Sequence, residues 1–226
     1  MIRLVSYTKP TEEFVKEGIS NDDLLDLVAF CARVSNPANQ MNSETSEKLV
    51  KYLIKHAHWS PLEMVNVCME IDTTRDIAHQ IVRHRSFAFQ EFSQRYANPQ
   101  EMGDMFVKRE ARLQDDKNRQ NSIETDDERL QMMWDSKQGE VIRAAQDAYN
   151  WAIENGIAKE QARAVLPEGL TKTRLYMNGT LRSWIHYIEL RGANGTQKEH
   201  MEIAWECAKV IADIFPLAKD LNASAN

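Results

Sequence analysis

Apolar and polar side chains alternate without a break between residues 65 and 72 of the chain. The odd positions are apolar and the even positions are polar or small, in the order Val65, Asn66, Val67, Cys68, Met69, Glu70, Ile71 and Asp72. Successive side chains of a β-strand point to opposite faces of its sheet, so this alternation predicts a strand that is buried on one side. Residues 2 to 7 indicate a second strand.

Most other apolar residues recur three or four positions apart, which is typical of helices with one face toward a core. The predicted helices cover residues 45 to 57, 73 to about 84, 127 to 154, 158 to 166, 180 to 191, and a last helix that begins near residue 196. Capping-box sequences at residues 73 to 76 and 196 to 199 mark two of the helix starts. We therefore expect an α+β fold, with one domain over residues 1 to 226 that is mostly helical around a small β-sheet.

Residues 109 to 128 interrupt this pattern, because they are almost wholly polar. Such a composition predicts a mobile surface loop, or else a solvated helix inserted in the domain. No chemistry is expected of this segment.

The 226 residues carry a net charge of −6, and 42% of them are hydrophobic, which is enough for one core. The first residues lack the long apolar run of a signal peptide, and no stretch approaches the roughly 20 apolar residues of a membrane span. We expect a cytoplasmic protein with no membrane contact. The three cysteines, Cys31, Cys68 and Cys207, include no close pair, which argues against a disulfide framework or a cysteine-rich zinc site.

Residues 83 to 96 concentrate three arginines, a histidine and a glutamate in a chain of negative net charge. The planar fork of an arginine suits phosphate and carboxylate oxygens. Two groups of side chains are expected to share one polar wall there, namely Gln80, Arg83 and His84 at a helix end and Glu91, Ser93 and Arg95 on extended backbone. The wall predicts a site for an anionic ligand. A solvated basic face is the alternative, although the interleaved aromatic residues disfavour it.

The helix predicted over residues 180 to 191 has a polar face of its own, with Arg182, His186 and Glu189 at positions i, i+4 and i+7. Spacing alone favours a solvent-exposed helix face on which charged side chains from Arg182 to Glu189 interact with one another. A binding role for this face rests on the family resemblance described next.

The segment from residue 83 to residue 96 resembles the signature of the flavin-dependent thymidylate synthases, in which Arg-His-Arg is followed after seven residues by Ser. The positions that match the fuller pattern, Arg-His-Arg-x-x-Ser-x-Asn-Glu-x-Ser-x-Arg-Tyr, are Arg83, His84, Arg85, Glu91, Ser93, Arg95 and Tyr96. Two positions depart from it, with Ala88 in place of Ser and Gln90 in place of Asn. Further blocks that resemble the family lie in the expected order at residues 32 to 35, 55 to 63, 161 to 167 and 190 to 191.

The resemblance implies a methyltransferase that converts dUMP to dTMP. It implies FAD as the cofactor, 5,10-methylenetetrahydrofolate as the one-carbon donor and NADPH as the source of reducing equivalents. It also implies a homotetramer with sites at subunit interfaces, where distant blocks of the chain meet. Neither a metal nor a nucleic acid polymer is expected among the partners.

Residue roles are implied by the same resemblance. The dUMP site comprises Gln80, Arg83, Glu91, Ser93, Arg95, Tyr96, Arg163 and Arg191. The FAD site comprises Ser60, Glu63, Arg83, His84, Arg85, Gln90, Glu91, Arg182 and His186. Arg191 is the catalytic residue, because the family's arginine at this position is assigned to stabilising the pyrimidine ionised at N3, and a fixed cation favours that anion. For Arg163, the residues alone also predict a helix-end salt bridge with Glu160.

None of the three cysteines suits nucleophilic attack on uracil, which requires a partly exposed thiolate beside cations. Cys31 lies between Phe30 and Ala32, Cys68 lies in the predicted strand, and Cys207 lies on the last helix. We therefore expect chemistry without a cysteine nucleophile. Nor does a G-x-G-x-x-G segment follow a strand, so a Rossmann site for the flavin is not indicated.

Two other classes of function compete with this interpretation. A metal phosphohydrolase would draw on His56, His58, His79 and His84, but no recognisable pattern of carboxylates accompanies them. A nucleic-acid-binding module would use the basic aromatic segment, but a pI of about 5.6 disfavours an extended polyanion.

Overall fold

A four-stranded antiparallel sheet lies at the centre of the computed structural model, which describes residues 1–21 and 23–218. With strands numbered in chain order, the spatial order is β1 (Ile2–Tyr7), β2 (Asn66–Thr74), β6 (Lys172–Thr180) and β3 (Phe87–Glu91). The strand expected from the alternation at residues 65 to 72 is thus confirmed as β2, and residues 2 to 7 form β1 as predicted.

Helices supply the rest of the regular structure. Their bounds are α1 (Glu12–Lys16), α2 (Leu24–Ala32), α3 (Ser46–Lys55), α4 (Arg75–Ile81), α5 (Glu128–Glu154), α6 (Lys159–Ala162), α7 (Leu181–Arg191) and α8 (Lys198–Ala212). Short 3-10 turns occur at Pro37–Asn39, Ser60–Met64, Pro99–Met102 and Arg163–Val165. The mostly helical α+β class is confirmed. None of the helices in the described part of the chain is long and apolar enough to span a membrane.

One face of the sheet carries the main core. Met69 pairs with Met177 and Ile71 with Leu175 across β2 and β6, and all four side chains are fully buried. Helices α2, α7 and α8 cover this face, and the indole nitrogen of Trp184 on α7 donates a hydrogen bond to the Val67 carbonyl at 3.0 Å. This packing ties α7 directly to the central strand.

The opposite face of the sheet is polar and charge-paired. Glu70 on β2 accepts hydrogen bonds from Arg3 on β1 and from the Tyr176 hydroxyl on β6. Arg174 on β6 donates to Asp72 at 2.6 Å, and these cations lower the pKa of both carboxyl groups. The alternation in β2 therefore separates an apolar core from an ionic surface.

Glycine is required where β6 meets β3. Gly179 pairs with Phe87, and a Cβ atom at position 179 would lie only 2.4 Å from the Phe87 ring. The ring covers the glycine and packs edge-on against Trp184 at 4.9 Å between ring centroids. This contact holds β3, and with it the cationic segment, against the core.

Several predicted helix starts and ends are shifted. The helix expected from residue 73 to about 84 is shorter, because strand β2 continues through Thr74 and α4 ends at Ile81. The expected capping boxes do not form: the Thr74 hydroxyl donates to the Asp76 carboxylate, and the N-terminal capping residue of α8, Gln197, makes no capping bond with its side chain. The helix predicted over residues 158 to 166 consists of α6 and a following 3-10 turn.

The polar segment at residues 109 to 128 is mostly exposed and irregular, and it contains no helix before α5 begins at Glu128. It contains a hairpin in which β4 (Arg112–Gln114) pairs with β5 (Ser122–Glu124). Arg112 donates to Glu199 at 2.6 Å, and Lys198 donates to Glu124, so both strands are attached to the start of α8 by ion pairs. Some of the charged side chains that indicated a solvated segment therefore make tertiary contacts.

Candidate active site

Arg191 and His84 form the centre of the candidate site. Arg191 is the last residue of α7, and His84 follows the C-terminal end of α4. A backbone bond from the His84 amide to the Ile81 carbonyl, at 3.1 Å, tightens the chain after α4 and directs the imidazole toward α7. There Nε of Arg191 donates a hydrogen bond to Nε2 of His84 at 2.9 Å. The ring of His84 also packs edge-on against Tyr187, with centroids 5.0 Å apart.

The electrostatics keep this histidine neutral. Partial burial and the positive charge of Arg191 lower the pKa of His84 to about 4. At neutral pH its Nε2 therefore carries a lone pair that can accept from Arg191, and Nδ1 carries the proton. The terminal nitrogens of Arg191 have no hydrogen-bond partner among the described residues, so they remain available to a ligand.

A buried polar network adjoins this pair. His200 on α8 is fully buried, and its Nδ1 lies 3.2 Å from the Oε1 of Gln80. Its Nε2 lies 3.1 Å from the hydroxyl of Tyr187. Burial, followed by the charge of Arg191, lowers the pKa of His200 to about 3, and burial holds the pKa of Tyr187 well above its usual range. Both side chains are therefore neutral hydrogen-bonding groups at physiological pH.

The other end of α7 carries a second group of predicted residues. Arg182 forms an ion pair with Glu63, which lies with Ser60 in the 3-10 turn before β2. His186, one turn further along α7, contacts the ring of Trp59 edge-on at 4.5 Å. Since a helix rises 1.5 Å per residue, Arg182 lies about 14 Å and His186 about 8 Å along α7 from Arg191. The face expected to carry a charge ladder from Arg182 to Glu189 is instead joined to the 3-10 turn.

Arg83 and Arg85 follow α4 on either side of His84. Both side chains are exposed, and neither guanidinium forms an ion pair with any described residue. Two unpaired arginines flanking a neutral histidine are suited to bind an anionic ligand such as a phosphate.

Glu91 ends strand β3 and is held by its neighbours. Its carboxylate accepts from the Thr173 hydroxyl at 2.9 Å and from Arg75 at 3.3 Å. Gln90 and Glu91 line a cavity of about 430 Å³ together with Phe92, Glu101, Met102, Arg174 and Tyr176. Gln90, predicted for the FAD site, and Glu91, predicted for both sites, therefore border an open space on the polar side of the sheet.

The chain turns after Glu91, so the expected alternation of Glu91, Ser93 and Arg95 on one side of extended backbone is wrong. The carbonyl of Ser93 accepts from the amides of Tyr96 and Ala97 in a turn. Arg95 is thereby directed toward α6, where its Nε lies 3.9 Å from the Glu160 carboxylate.

Arg95 and Arg163 meet at Glu160. The Nε of Arg163 donates to the backbone carbonyl of Glu160 at 3.3 Å, so the expected side-chain salt bridge with Glu160 is made by Arg95 instead. Tyr96 is 78% exposed beside them, and its carbonyl accepts from Lys159. These contacts place two arginines on one exposed patch.

The predicted site residues thus fall into separate groups on the surface of one chain. The groups are Gln80 with His84 and Arg191, then Ser60 with Glu63, Arg182 and His186, then Gln90 with Glu91, and finally Arg95 with Tyr96 and Arg163. Sequence reasoning missed five residues that hold these groups, namely Arg75, Thr173, Tyr187, Gln197 and His200. His200 was detectable, because it is the one imidazole on the buried stripe formed by Ala204, Cys207, Ala208 and Ile211.

A cavity of about 610 Å³ contains none of the predicted residues. Its lining cations are mostly engaged with acids, since Arg109 pairs with Asp76 and Arg112 with Glu199. The predicted site residues therefore lie outside this cavity.

Metal-binding side chains and reactive cysteines are the groups on which the alternative mechanisms depend. Residues 1–21 and 23–218 contain no group of three or more His, Cys, Asp or Glu side chains placed to hold a metal. The free thiols have raised pKa values, because Cys31 and Cys68 are partly buried and Cys207 is fully buried. Such thiols are poor nucleophiles at neutral pH.

Comparison with known proteins shows which family the chain resembles. Residues 19–217 match the family described as thymidylate synthase complementing protein. The chain is 48% identical over 221 residues to a probable flavin-dependent thymidylate synthase of Paramecium bursaria Chlorella virus 1, covering 97% of this chain and 98% of the relative. It is 46% identical to the flavin-dependent thymidylate synthase of Synechocystis sp., with 95% of each chain covered.

A solved structure shares the fold. The UMP/dUMP methylase PolB from Streptomyces cacaoi, bound with 5-Br dUMP, superposes with a TM-score of 0.79. The match covers 99% of this chain and 94% of that one at 21% identity.

Proposed function

This chain belongs to the thymidylate synthase complementing protein family, the flavin-dependent thymidylate synthases, and we propose that it reductively methylates dUMP to dTMP. The reaction uses 5,10-methylenetetrahydrofolate as the one-carbon donor, FAD as the cofactor and NADPH as the reductant. The observation that carries the assignment is the Arg191–His84 pair, in which a neutral partner orients a cation without cancelling its charge.

Arg191 acts on the pyrimidine. With Nε bound to His84, the terminal nitrogens present a fixed positive charge to the imide edge of uracil. That charge favours the base ionised at N3 and raises the electron density of the ring, which prepares C5 to take up a one-carbon unit. No thiolate is required for this activation, which agrees with the raised pKa values of the three cysteines.

The exposed arginines bind the phosphate of dUMP. Arg95 and Arg163 lie together at Glu160, and Arg83 is unpaired within the described part of the chain. Guanidinium groups can bind phosphate oxygens in a bidentate manner, which also orients the nucleotide. Gln80, Glu91 and Ser93 supply hydrogen bonds to the same ligand, and Tyr96 lies exposed beside Arg95.

The predicted FAD-binding residues include hydrogen-bond donors and acceptors that fit FAD. Arg85 and Arg83 suit pyrophosphate oxygens, and the Glu63 carboxylate can accept from ribose or adenine. The remaining ligands are Ser60, His84, Gln90, Glu91, Arg182 and His186. When bound, the reduced flavin supplies the hydride that completes the methyl group. Ion pairing with Glu63 holds Arg182 in place for that ligand.

A homotetramer would unite the separate groups. Helix α5 exposes Met133, Trp134, Val141 and Trp151, each at 45 to 61% of its surface, on one long apolar face. Exposed apolar faces of this size mark protein interfaces, and symmetric copies would bury it. Association would then bring the FAD group at one end of α7 near the arginine patch of another copy. We also propose that the protein is located in the cytoplasm.

Formation of dTMP tests the function. The purified protein, loaded with FAD, is incubated with dUMP, methylenetetrahydrofolate and NADPH, with UMP in place of dUMP as the matched control. We expect dTMP to form and the yellow flavin absorption to bleach on addition of NADPH. A protein that takes up no FAD and makes no dTMP contradicts the proposal.

A further inference from the structure

His200 is a fully buried imidazole for which the proposed reaction has no direct use. It occupies the apolar stripe of α8, where Ala204, Cys207 and Ala208 pack into the core. Both ring nitrogens nevertheless have polar partners, Gln80 on one side and Tyr187 on the other. A buried polar group that is fully hydrogen-bonded in a core position specifies the geometry of its partners.

The network continues from Gln80 to the surface. Gln80 donates through Nε2 to the Oε1 of Gln197 at 2.8 Å. Gln197 in turn donates through its own Nε2 to the carboxylate of Glu199 at 3.0 Å. Glu199 also accepts from Arg112 of the hairpin at 2.6 Å, and its pKa is lowered, so it is an ionised acceptor at neutral pH.

This anchored carboxylate sets the direction of every bond in the network. An ionised carboxylate only accepts, so Gln197 must turn its amide nitrogen toward Glu199 and its oxygen toward Gln80. Gln80 must then donate to Gln197 and direct its own oxygen toward His200. His200 consequently carries its proton on Nδ1, and its Nε2 accepts from the Tyr187 hydroxyl. Only one set of hydrogen-bond directions therefore satisfies all five side chains of the network, which are Glu199, Gln197, Gln80, His200 and Tyr187.

We infer that His200 and Gln197 are positioning residues that lock the amide of Gln80 in one orientation for the nucleotide, an inference that rests on the proposed function. A free glutamine amide can present either its oxygen or its nitrogen to a ligand. The locked amide always presents its remaining N–H and its remaining lone pair in the same arrangement. Such preorganisation reduces the entropic cost of binding, so it acts mainly on affinity for dUMP.

The test compares variants of the FAD-loaded full chain at two positions of the network. His200→Leu removes the donor to Gln80, and we expect the KM for dUMP to rise about tenfold, because the half-buried Gln80 amide loses the partner that fixes its orientation. The kcat stays within about twofold. His200→Asn places an amide nitrogen near the position of Nδ1, and we expect it to recover most of the affinity. Calorimetric Kd values for dUMP should follow the KM values.

A second variant lies nearer the surface. Gln197→Met keeps the length of the side chain but neither accepts from Gln80 nor donates to Glu199, and we expect a KM increase of about threefold with kcat unchanged. Cys207→Ala, also in the core of α8, is the matched control: it should lower thermal stability without changing the KM. If His200→Leu does not fold, Gln197→Met and His200→Asn decide the question.

The outcomes separate this inference from the proposed function. Wild-type KM and Kd in both His200→Leu and Gln197→Met overturn the positioning role. The positioning role is also overturned if the loss of dUMP affinity in the variants follows their loss of thermal stability and His200→Asn binds dUMP no more tightly than His200→Leu. Failure of the wild-type protein to bind dUMP or to form dTMP refutes the function itself.

Discussion

Nε of Arg191 donates to Nε2 of His84 over 2.9 Å, between residues 107 positions apart in the chain. Arginines in proteins are commonly oriented by carboxylates, which offset their charge. A neutral imidazole orients Arg191 without adding a negative charge beside it. The cation that the proposed mechanism requires is therefore both fixed in position and available to the pyrimidine.

Replacement of His84 tests the orienting role. His84→Leu removes the acceptor, so Arg191 loses its fixed direction, and we expect kcat per bound FAD to fall about tenfold. His84→Gln offers an amide oxygen at a similar distance and should recover part of the loss. The measurement is steady-state dTMP formation, normalised to FAD content by absorbance. An unchanged kcat in His84→Leu would show that Arg191 needs no such partner.

His84, which is half-buried, and His200, which is fully buried, predict a pH dependence of stability. Their pKa values in the folded protein are about 4 for His84 and about 3 for His200, against roughly 6.5 in an unfolded chain. The unfolded state therefore binds more protons between pH 6.5 and these values, so stability falls as the pH falls through this window. Above about pH 6.5 both states are neutral and the two residues contribute no slope.

Urea unfolding at pH 7.5, 6.5 and 5.0 measures this effect while most carboxylates remain ionised. We expect the free energy of unfolding of the wild-type protein to decrease between pH 6.5 and 5.0. His200→Asn, which cannot titrate, should show a shallower decrease. Identical slopes in the two proteins would contradict the lowered pKa of His200.

Local patterns predicted the elements that carry the site, but not the contacts between them. The sequence predicted strand β2 from the alternation at residues 65 to 72, and it predicted the apolar and polar faces of α7, because each depends on a short periodic pattern. The meeting of Arg191 with His84 depends on how α4 and α7 pack around the sheet. No spacing within either helix encodes that contact.

The short hairpin within residues 109 to 128 was not predicted, for a related reason. Its polar composition resembled a solvated segment, yet Arg112 and Glu124 are paired with Glu199 and Lys198 of α8. Those partners lie more than 70 positions away along the chain. Long-range ion pairs of this kind override a prediction made from local composition.

Two glycines provide opposite predictions for stability. Gly179→Ala forces a Cβ atom toward the Phe87 ring, and overpacking of this kind costs about 1–3 kcal/mol. Gly139, inside α5, has only ordinary contacts at 3.5 Å or more around a new Cβ, so Gly139→Ala should stabilise the helix by about 0.5–1 kcal/mol. Thermal unfolding of the two variants gives the sign of each change. An unchanged or raised melting temperature for Gly179→Ala would contradict the packing described for β3 and β6.

The cysteines are expected to be dispensable for chemistry. Cys31→Ala, Cys68→Ala and Cys207→Ala should each retain the wild-type kcat per folded molecule, because burial raises the pKa of all three thiols. Cys207→Ala alone should lower thermal stability appreciably, since its side chain is fully buried. Loss of turnover in a folded, FAD-loaded variant would instead indicate a thiolate mechanism.

Turnover by Arg191→Ala tests the central claim most directly. The variant keeps all the proposed FAD ligands, and most of them, including Glu63 and Arg182, do not contact Arg191, so we expect FAD to remain bound. Removal of the cation at the pyrimidine should lower kcat about 10²- to 10³-fold, as for the loss of a preorganised group that stabilises developing charge. Arg191→Lys keeps the positive charge but not the planar guanidinium, so its kcat should lie between those of Arg191→Ala and the wild type. An Arg191→Ala protein that holds FAD and forms dTMP at the wild-type rate would contradict the account.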